Sequence, residues 1–298
     1  MTIETTSVER RKRLSAEDFY GEFVDKKPLV IEGIVDGWRA FDLWKPDYFE
    51  EIAGDVRVKV KRGDLTRGLV DFLPLAEYLR RVEAYEERRR RGEAGPEDRP
   101  AYLHDVPMLA MADQLVQDVE PFPVEYLPRW YRERWWLFSQ FFYGPTHSLT
   151  PLHFDTLETH NIFFQVTGRK RFLMVPPSDR DKCYIFKWRW SEVDAEQPDL
   201  DRHPRFRDAQ VIEAVVGPGE ILYMPPGTLH HVRSLDPAIS FNIDWQTPRS
   251  ALRGVAALTR GMPLKNVYYN SVAALGLWTR LPSKVLFPLY KSYLDYVS

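Results

Sequence analysis

The segment Thr150-Pro-Leu-His153-Phe-Asp155 sets an imidazole and a carboxylate two residues apart. In an extended strand alternate side chains share a face, so His153 and Asp155 point the same way. A second imidazole arrives much later in the chain, at His230. Two imidazoles and a carboxylate on one side of a cation, with the other positions open, form the ligand set of non-haem ferrous oxygen chemistry. The His-x-Asp pair alone is a short pattern, and a histidine hydrogen-bonded to an aspartate satisfies it too. His230 and His231 are adjacent and face opposite ways on a strand, so only one of them can join the pair. Periodicity does not choose between them, and the other is a packed or hydrogen-bonded histidine.

The run from Asn161 through Gly168 to Pro177 reads as a hairpin whose turn contains Gly168. Lys170 opens its second strand on the same face as Phe172 and Met174. A lysine on an apolar face either snorkels to water or meets an anion. Beside a metal site, a buried carboxylate ligand is the better reading. Arg169 and Arg171 fall on the opposite, outer face. Cys183 is the single cysteine, so neither a disulfide framework nor a multi-cysteine zinc site can form within the chain. We take it as structural.

These residues need a strand-rich scaffold, and the pattern supplies one. Strand-like segments cover 149–154, 162–166, 171–175, 211–216, 221–224, 230–234 and 238–245, separated by Gly- and Pro-rich turns, as in a sandwich or barrel. Before them come a capped turn at Ser15, a strand at 28–33, a helix at 46–52 and a strand at 56–60. A helix at 72–92 ends in Arg88–Arg91, a solvated helix terminus. A linker at 93–100 follows. Residues 192–207 form a long polar loop, and the tail turns helical over 252–258, 272–281 and 285–297. Trp130, Tyr131, Trp135, Trp136, Trp188 and Trp190 could line a groove or fill a core, with core the better reading for Trp135 and Trp136.

The 298 residues carry 41 Lys+Arg against 43 Asp+Glu, a net charge of −2, with 44% hydrophobic residues. That composition excludes a wholly disordered chain and weighs against nucleic acid as a partner. No apolar stretch approaches the roughly 20 residues of a membrane span. Met1–Leu14 is too charged for a signal peptide, so a cytoplasmic protein is expected.

Taken together the motifs resemble the JmjC/cupin-like Fe(II)- and 2-oxoglutarate-dependent oxygenases, and within them the group of the hypoxia-inducible factor asparaginyl hydroxylase. The resemblance rests on Thr150-Pro-x-His153-x-Asp155, Asn161…Gly168-x-Lys170, Pro176-Pro177, Val216-Gly-Pro-Gly-Glu220, His230-His231 and Asn242-x-x-Trp245, over residues 15–250. It implies a mainly β fold with flanking helices. A double-stranded β-helix core at 131–248 would follow an N-terminal α/β extension at 1–130 and precede a helical segment at 249–298. It implies His153, Asp155 and His230 as iron ligands, settling His230 over His231. Lys170 and Thr150 would hold the distal carboxylate of 2-oxoglutarate, and Asn161 and Asn242 would lie near its proximal end. Iron, 2-oxoglutarate and O2 would together hydroxylate an unactivated C–H bond. The substrate implied is an amino-acid side chain of a protein or peptide, the alternatives being a small molecule or a non-catalytic binding protein. In relatives the helical tail makes a dimer, which predicts a homodimer here. Thr156–His160 is longer than its counterpart in that hydroxylase, so substrate identity does not transfer. His160 there is a substrate contact or an exposed loop histidine.

Overall fold

In the computed structural model, which describes residues 4–289, sixteen strands build two sheets. In chain order they are β1 (Thr5–Ser7), β2 (Glu9–Lys12), β3 (Leu29–Glu32), β4 (Arg57–Lys61), β5 (Val70–Pro74), β6 (Tyr102–Val106), β7 (Ser139–Gly144) and β8 (Leu149–His153). There follow β9 (His160–Thr167), β10 (Lys170–Val175), β11 (Ile185–Phe186), β12 (Trp190–Ser191), β13 (Val211–Val216), β14 (Ile221–Met224), β15 (Leu229–Ser234) and β16 (Ala238–Trp245). The seven-stranded sheet runs β1-β13-β10-β15-β8-β12-β11, and the nine-stranded sheet β2-β3-β14-β9-β16-β7-β6-β4-β5. At their centres β13-β10-β15-β8 faces β14-β9-β16-β7. The chain passes back and forth between these two four-stranded layers, which is the winding of a double-stranded β-helix. The expected fold class holds.

The hairpin expected over Asn161–Pro177 does not form. β9 pairs with β14 and β16, while β10 pairs with β13 and β15. The turn at Gly168 is an arch carrying the chain from one sheet to the other. Gly168 is needed there: its φ is +68°, and a Cβ would lie 2.2 Å from the Pro237 carbonyl oxygen. A Gly-containing turn between two strands announces a reversal but not which sheet receives the second strand.

The helix expected at 72–92 begins later, at Leu75, and runs to Arg90. Pro74 explains the shift. It disfavours helical backbone at Leu73, so Val70–Pro74 instead pairs with β4. β1 and β2 were not anticipated; they add to the two sheets in parallel, against β13 and β3. The tail forms helices at Pro248–Ala256 and Leu264–Thr279. The last expected helix, 285–297, lies mostly outside the described residues.

The aromatic supply is largely spent on the core behind the nine-stranded sheet. Trp38, Trp44, Phe49, Phe122, Trp135 and Phe241 are buried in one cluster, with the Phe122 and Trp135 rings stacked at 3.6 Å. A second apolar cluster, including Phe163, Phe172, Met174, Leu222 and Met224, fills the space between the sheets. It forms the floor of the pocket described next. No described helix is long and apolar enough to cross a membrane.

Candidate active site

β8 and β15 lie side by side in antiparallel register, with His230 directly opposite His153. Their ring centroids are 4.2 Å apart. Asp155 follows β8 by two residues, and its Oδ1 is 3.8 Å from His230 Nε2. One ligand atom from each of His153, Asp155 and His230 lies within 4.8 Å of the others. Each imidazole is turned by its own backbone: His153 Nδ1 is 2.8 Å from the Pro151 carbonyl, and His230 Nδ1 is 3.1 Å from the Thr228 carbonyl. A carbonyl only accepts, so Nδ1 carries the proton and Nε2 keeps its lone pair for the shared space. Burial, with His230 alongside, holds the His153 pKa well below its usual value. His153 is therefore a neutral imidazole at physiological pH. His231 faces the other way, with Nε2 3.4 Å from Glu196, as alternation along β15 requires.

Lys170 starts β10 on the wall of the same pocket and is 1% exposed. Its Nζ donates to the Tyr102 hydroxyl at 3.0 Å and to Ser240 Oγ at 2.8 Å. The rings of Phe142 and Phe163 stand 5.1 and 5.4 Å from it. Burial pulls its pKa down to about 7. Among the described residues its polar contacts are two hydroxyls and no carboxylate. Leaving an ammonium this dry without an anion is costly.

The pocket holds a cavity of about 50 Å³. The structure brings all the expected site residues to its wall: Thr150, His153, Asp155, Asn161, Lys170, His230 and Asn242. Asn161 Nδ2 donates to Asp155 Oδ2 at 3.1 Å, and Asn242 Nδ2 donates to Asp244 Oδ1 at 2.9 Å. The Oδ1 atoms of both asparagines are buried without a partner.

His160 does not belong to this set. It is fully buried, stacks on Trp245 at 4.0 Å, and its Nδ1 is 2.8 Å from the Tyr223 hydroxyl. It is neither an exposed loop histidine nor among the pocket's lining residues. It opens β9, and since its neighbour Asn161 faces the pocket, His160 must face away.

Several pocket residues were not foreseen. His104 Nε2 is 3.1 Å from Thr150 Oγ1, and His104 Nδ1 is 2.8 Å from Asp105 Oδ2. Lys61 Nζ donates to the same carboxylate oxygen at 2.7 Å. Burial takes the His104 pKa down to about 4. Burial pushes the Asp105 carboxyl up, but His104 and Lys61 outweigh it and hold it well below the usual range. Asp244 has no such cation in contact, and burial raises its pKa well above normal. Tyr102, His104 and Asp105 share β6, whose alternating pattern carries no metal-ligand spacing; only the pairing with β7 brings them here. Arg189 reaches the pocket from the turn before β12. Lys187 and Trp188 there have φ of 43° and 72°, and Trp190 pairs with His153 across the strands. Cys183 is fully buried away from the pocket, with its thiol pushed up to about 12 by burial.

Two imidazoles with converging ring nitrogens and a carboxylate fit a divalent transition metal. A buried ammonium facing the same space fits an anionic co-ligand. Residues 16–251 match the model of the cupin-like domain family. The chain is similar to lysine-specific demethylase 8 of Xenopus tropicalis, at 27% identity over 78% of this chain and 51% of the relative. It is similar to tRNA wybutosine-synthesizing protein 5 of Mus musculus, at 27% identity over 83% of this chain and 80% of the relative. It is also similar to the 2-oxoglutarate and iron-dependent oxygenase JMJD4 of Gallus gallus, at 28% identity over 80% and 59%. The chain spans about half the length of the demethylases it matches.

Proposed function

Since the chain belongs to the cupin-like domain family, we propose that it is an Fe(II)- and 2-oxoglutarate-dependent oxygenase that hydroxylates a C–H bond. One observation carries this reading. The His153, Asp155 and His230 ligand atoms converge in the pocket where Lys170 stands buried without a carboxylate. When bound, iron with 2-oxoglutarate and O2 supplies an oxidation that couples decarboxylation of the co-substrate to hydroxylation.

The chain's own residues do the rest. His153 and His230 hold iron through Nε2, and Asp155 through its carboxylate. Asn161 steadies Asp155 by occupying Oδ2, which leaves Oδ1 on the His230 side. Lys170 takes the distal carboxylate of 2-oxoglutarate, with Thr150 beside it, and the ion pair is strong because the site is dry. Asn161 and Asn242 stand on the pocket wall near the proximal end. Phe142, Phe163, Phe172 and Met224 line the pocket and keep water from the co-substrate.

The substrate class we propose is an amino-acid side chain of a protein or peptide, supported by the names of the demethylase relatives. We place the protein in the cytoplasm as a homodimer formed through residues 249–298. Exposed Leu264 and Trp278, 75% and 60% accessible, support that interface. A monomer in sedimentation at micromolar concentration would remove the dimer.

The test of the reading is anaerobic. Fe(II) and 2-oxoglutarate added to metal-free protein should give the visible metal-to-ligand charge-transfer band, lost in Asp155→Ala and weakened in Lys170→Ala. No band in the wild-type protein rejects an oxygenase centre. A band with turnover of a free metabolite or nucleoside, and none of peptides, would move the substrate class alone.

A further inference from the structure

We infer that Arg189 is the receptor for a carboxylate on the primary substrate, so that the oxidised molecule is a singly charged acid or carries an acidic side chain. This rests on the oxygenase reading and narrows its substrate.

Arg189 lines the metal pocket. Its guanidinium carbon stands 4.5 Å from the centre of the Trp190 ring, and no N–H of its fork is taken by a carboxylate among the described residues, so the fork can meet a planar anion. Its placement is fixed by backbone. The Phe154 amide, between the two ligands of β8 and its extension, donates to the Arg189 carbonyl at 3.2 Å. The next residue, Trp190, pairs with His153 and stacks on its ring at 5.0 Å. This arginine is therefore held at the metal rather than swinging from a loop.

Most of the cations around it are matched. Lys61 is paired with Asp105 at 2.7 Å and Arg180 with Glu158. Arg189 forms no ion pair and no side-chain hydrogen bond among the described residues; its guanidinium stands over Trp190.

Loading the site does not change this. A ferrous ion, the Asp155 carboxylate, dianionic 2-oxoglutarate and the Lys170 ammonium cancel one another in charge. The Lys61–Asp105 pair also cancels. The remaining wall carboxyl, Asp244, feels Arg189 but is pushed well above its normal pKa by burial, so it does little to answer the charge of the half-buried arginine. One further negative charge closes the balance. A carboxylate supplies one and matches the fork bidentately, whereas a phosphate dianion would overshoot.

The experiment uses anaerobic wild-type and Arg189→Gln holoenzyme carrying Fe(II) and 2-oxoglutarate. Both are titrated with the singly charged α-amides Ac-Asp-NH2 and Ac-Glu-NH2, and with the tripeptides Ac-Gly-Asp-Gly-NH2 and Ac-Gly-Glu-Gly-NH2. The asparagine and glutamine counterparts serve as neutral controls. Calorimetric Kd and the shift of the charge-transfer band are read together. At least one acid should bind wild type at least tenfold tighter than its amide, and Arg189→Gln should lose that preference while keeping the band. Response by the single-residue acids or only by the tripeptides tells a small molecule from a protein side chain. Amides binding as well as acids, acids binding equally to Arg189→Gln, or no probe perturbing wild type would each overturn the inference. Absence of the band in wild type instead removes the oxygenase reading beneath it, so the two failures are distinct.

Discussion

Replacing Lys170 by methionine should stabilise the ligand-free protein while weakening its hold on 2-oxoglutarate. The magnitude follows from burial. Moving the Lys170 pKa from its ordinary 10.5 to about 7 corresponds to a penalty of about 5 kcal/mol for keeping the ammonium in the fold below about pH 7. Methionine has a similar length and no charge. It strands the Tyr102 and Ser240 hydroxyls that now accept from Nζ, at about 1 kcal/mol each. The net gain is about 3 kcal/mol, or a melting point higher by about 8 °C for a chain of this size. The sign with pH is fixed as well. A lysine whose folded pKa is depressed destabilises the fold most below that pKa, and the penalty fades as pH rises toward 10.5. The advantage of Lys170→Met must therefore shrink between about pH 7 and about pH 9. Binding adds a second signature. A carboxylate brought to Lys170 restores the ammonium, so 2-oxoglutarate should bind with uptake of a proton above about pH 7, and its affinity should fall as pH climbs. Calorimetry in two buffers of different ionisation enthalpy measures that proton, which should vanish in Lys170→Met. A variant less stable than wild type at neutral pH, or proton-free binding at about pH 8, would refute the reasoning.

Three further outcomes are expected. Asn161→Ala should weaken divalent-metal affinity about 10- to 100-fold through loss of its bond to Asp155, whereas His231→Gln should leave it within about twofold, because His231 faces Glu196; Mn(II) titration of both variants separates the two. Gly168→Ala should cost at least about 2 kcal/mol in urea unfolding, from the left-handed backbone and the clash with the Pro237 carbonyl; a smaller loss would mean the arch can shift. His160→Ala should cost about 2–4 kcal/mol of stability by opening a cavity beside Trp245, with metal affinity unchanged; a lost metal site would show that the far face of β9 steers Asn161.

What the sequence made legible is what local periodicity controls. The alternation of a strand put His153 and Asp155 on one side, and it continues to hold two residues past the end of β8, where Asp155 is no longer in the sheet. The same alternation split His230 from His231, and placed Lys170 with Phe172 on the pocket wall. It also contained the correction for His160. Once Asn161 was assigned to the pocket, its neighbour had to turn the other way, and reading Thr156–His160 as one loop hid that constraint. The arch at Gly168 was hidden for a different reason. Turn chemistry is local, but the choice between returning in the same sheet and crossing to the other is made by partners such as Ser234 and Val216, which meet Lys170 from far along the chain.

The residues that escaped notice share one property: their chemistry exists only between elements. Lys61 and Asp105 are an unremarkable cation and anion in β4 and β6 until the pairing of those strands buries them together beside Thr150. Arg189 carries no spacing signal in the sequence, and only the β12–β8 pairing sets it against the metal ligands. A metal triad can be legible because three ligands of fixed type on two strands have few alternatives. The groups that select a substrate carry no such signature, since an arginine or an aspartate is equally at home in water. Selectivity in this fold is thus expected to reside in β6 and in the 187–190 turn, which join the pocket by tertiary contact. Exchanging those two segments between relatives should move substrate preference while leaving the iron and 2-oxoglutarate signals in place.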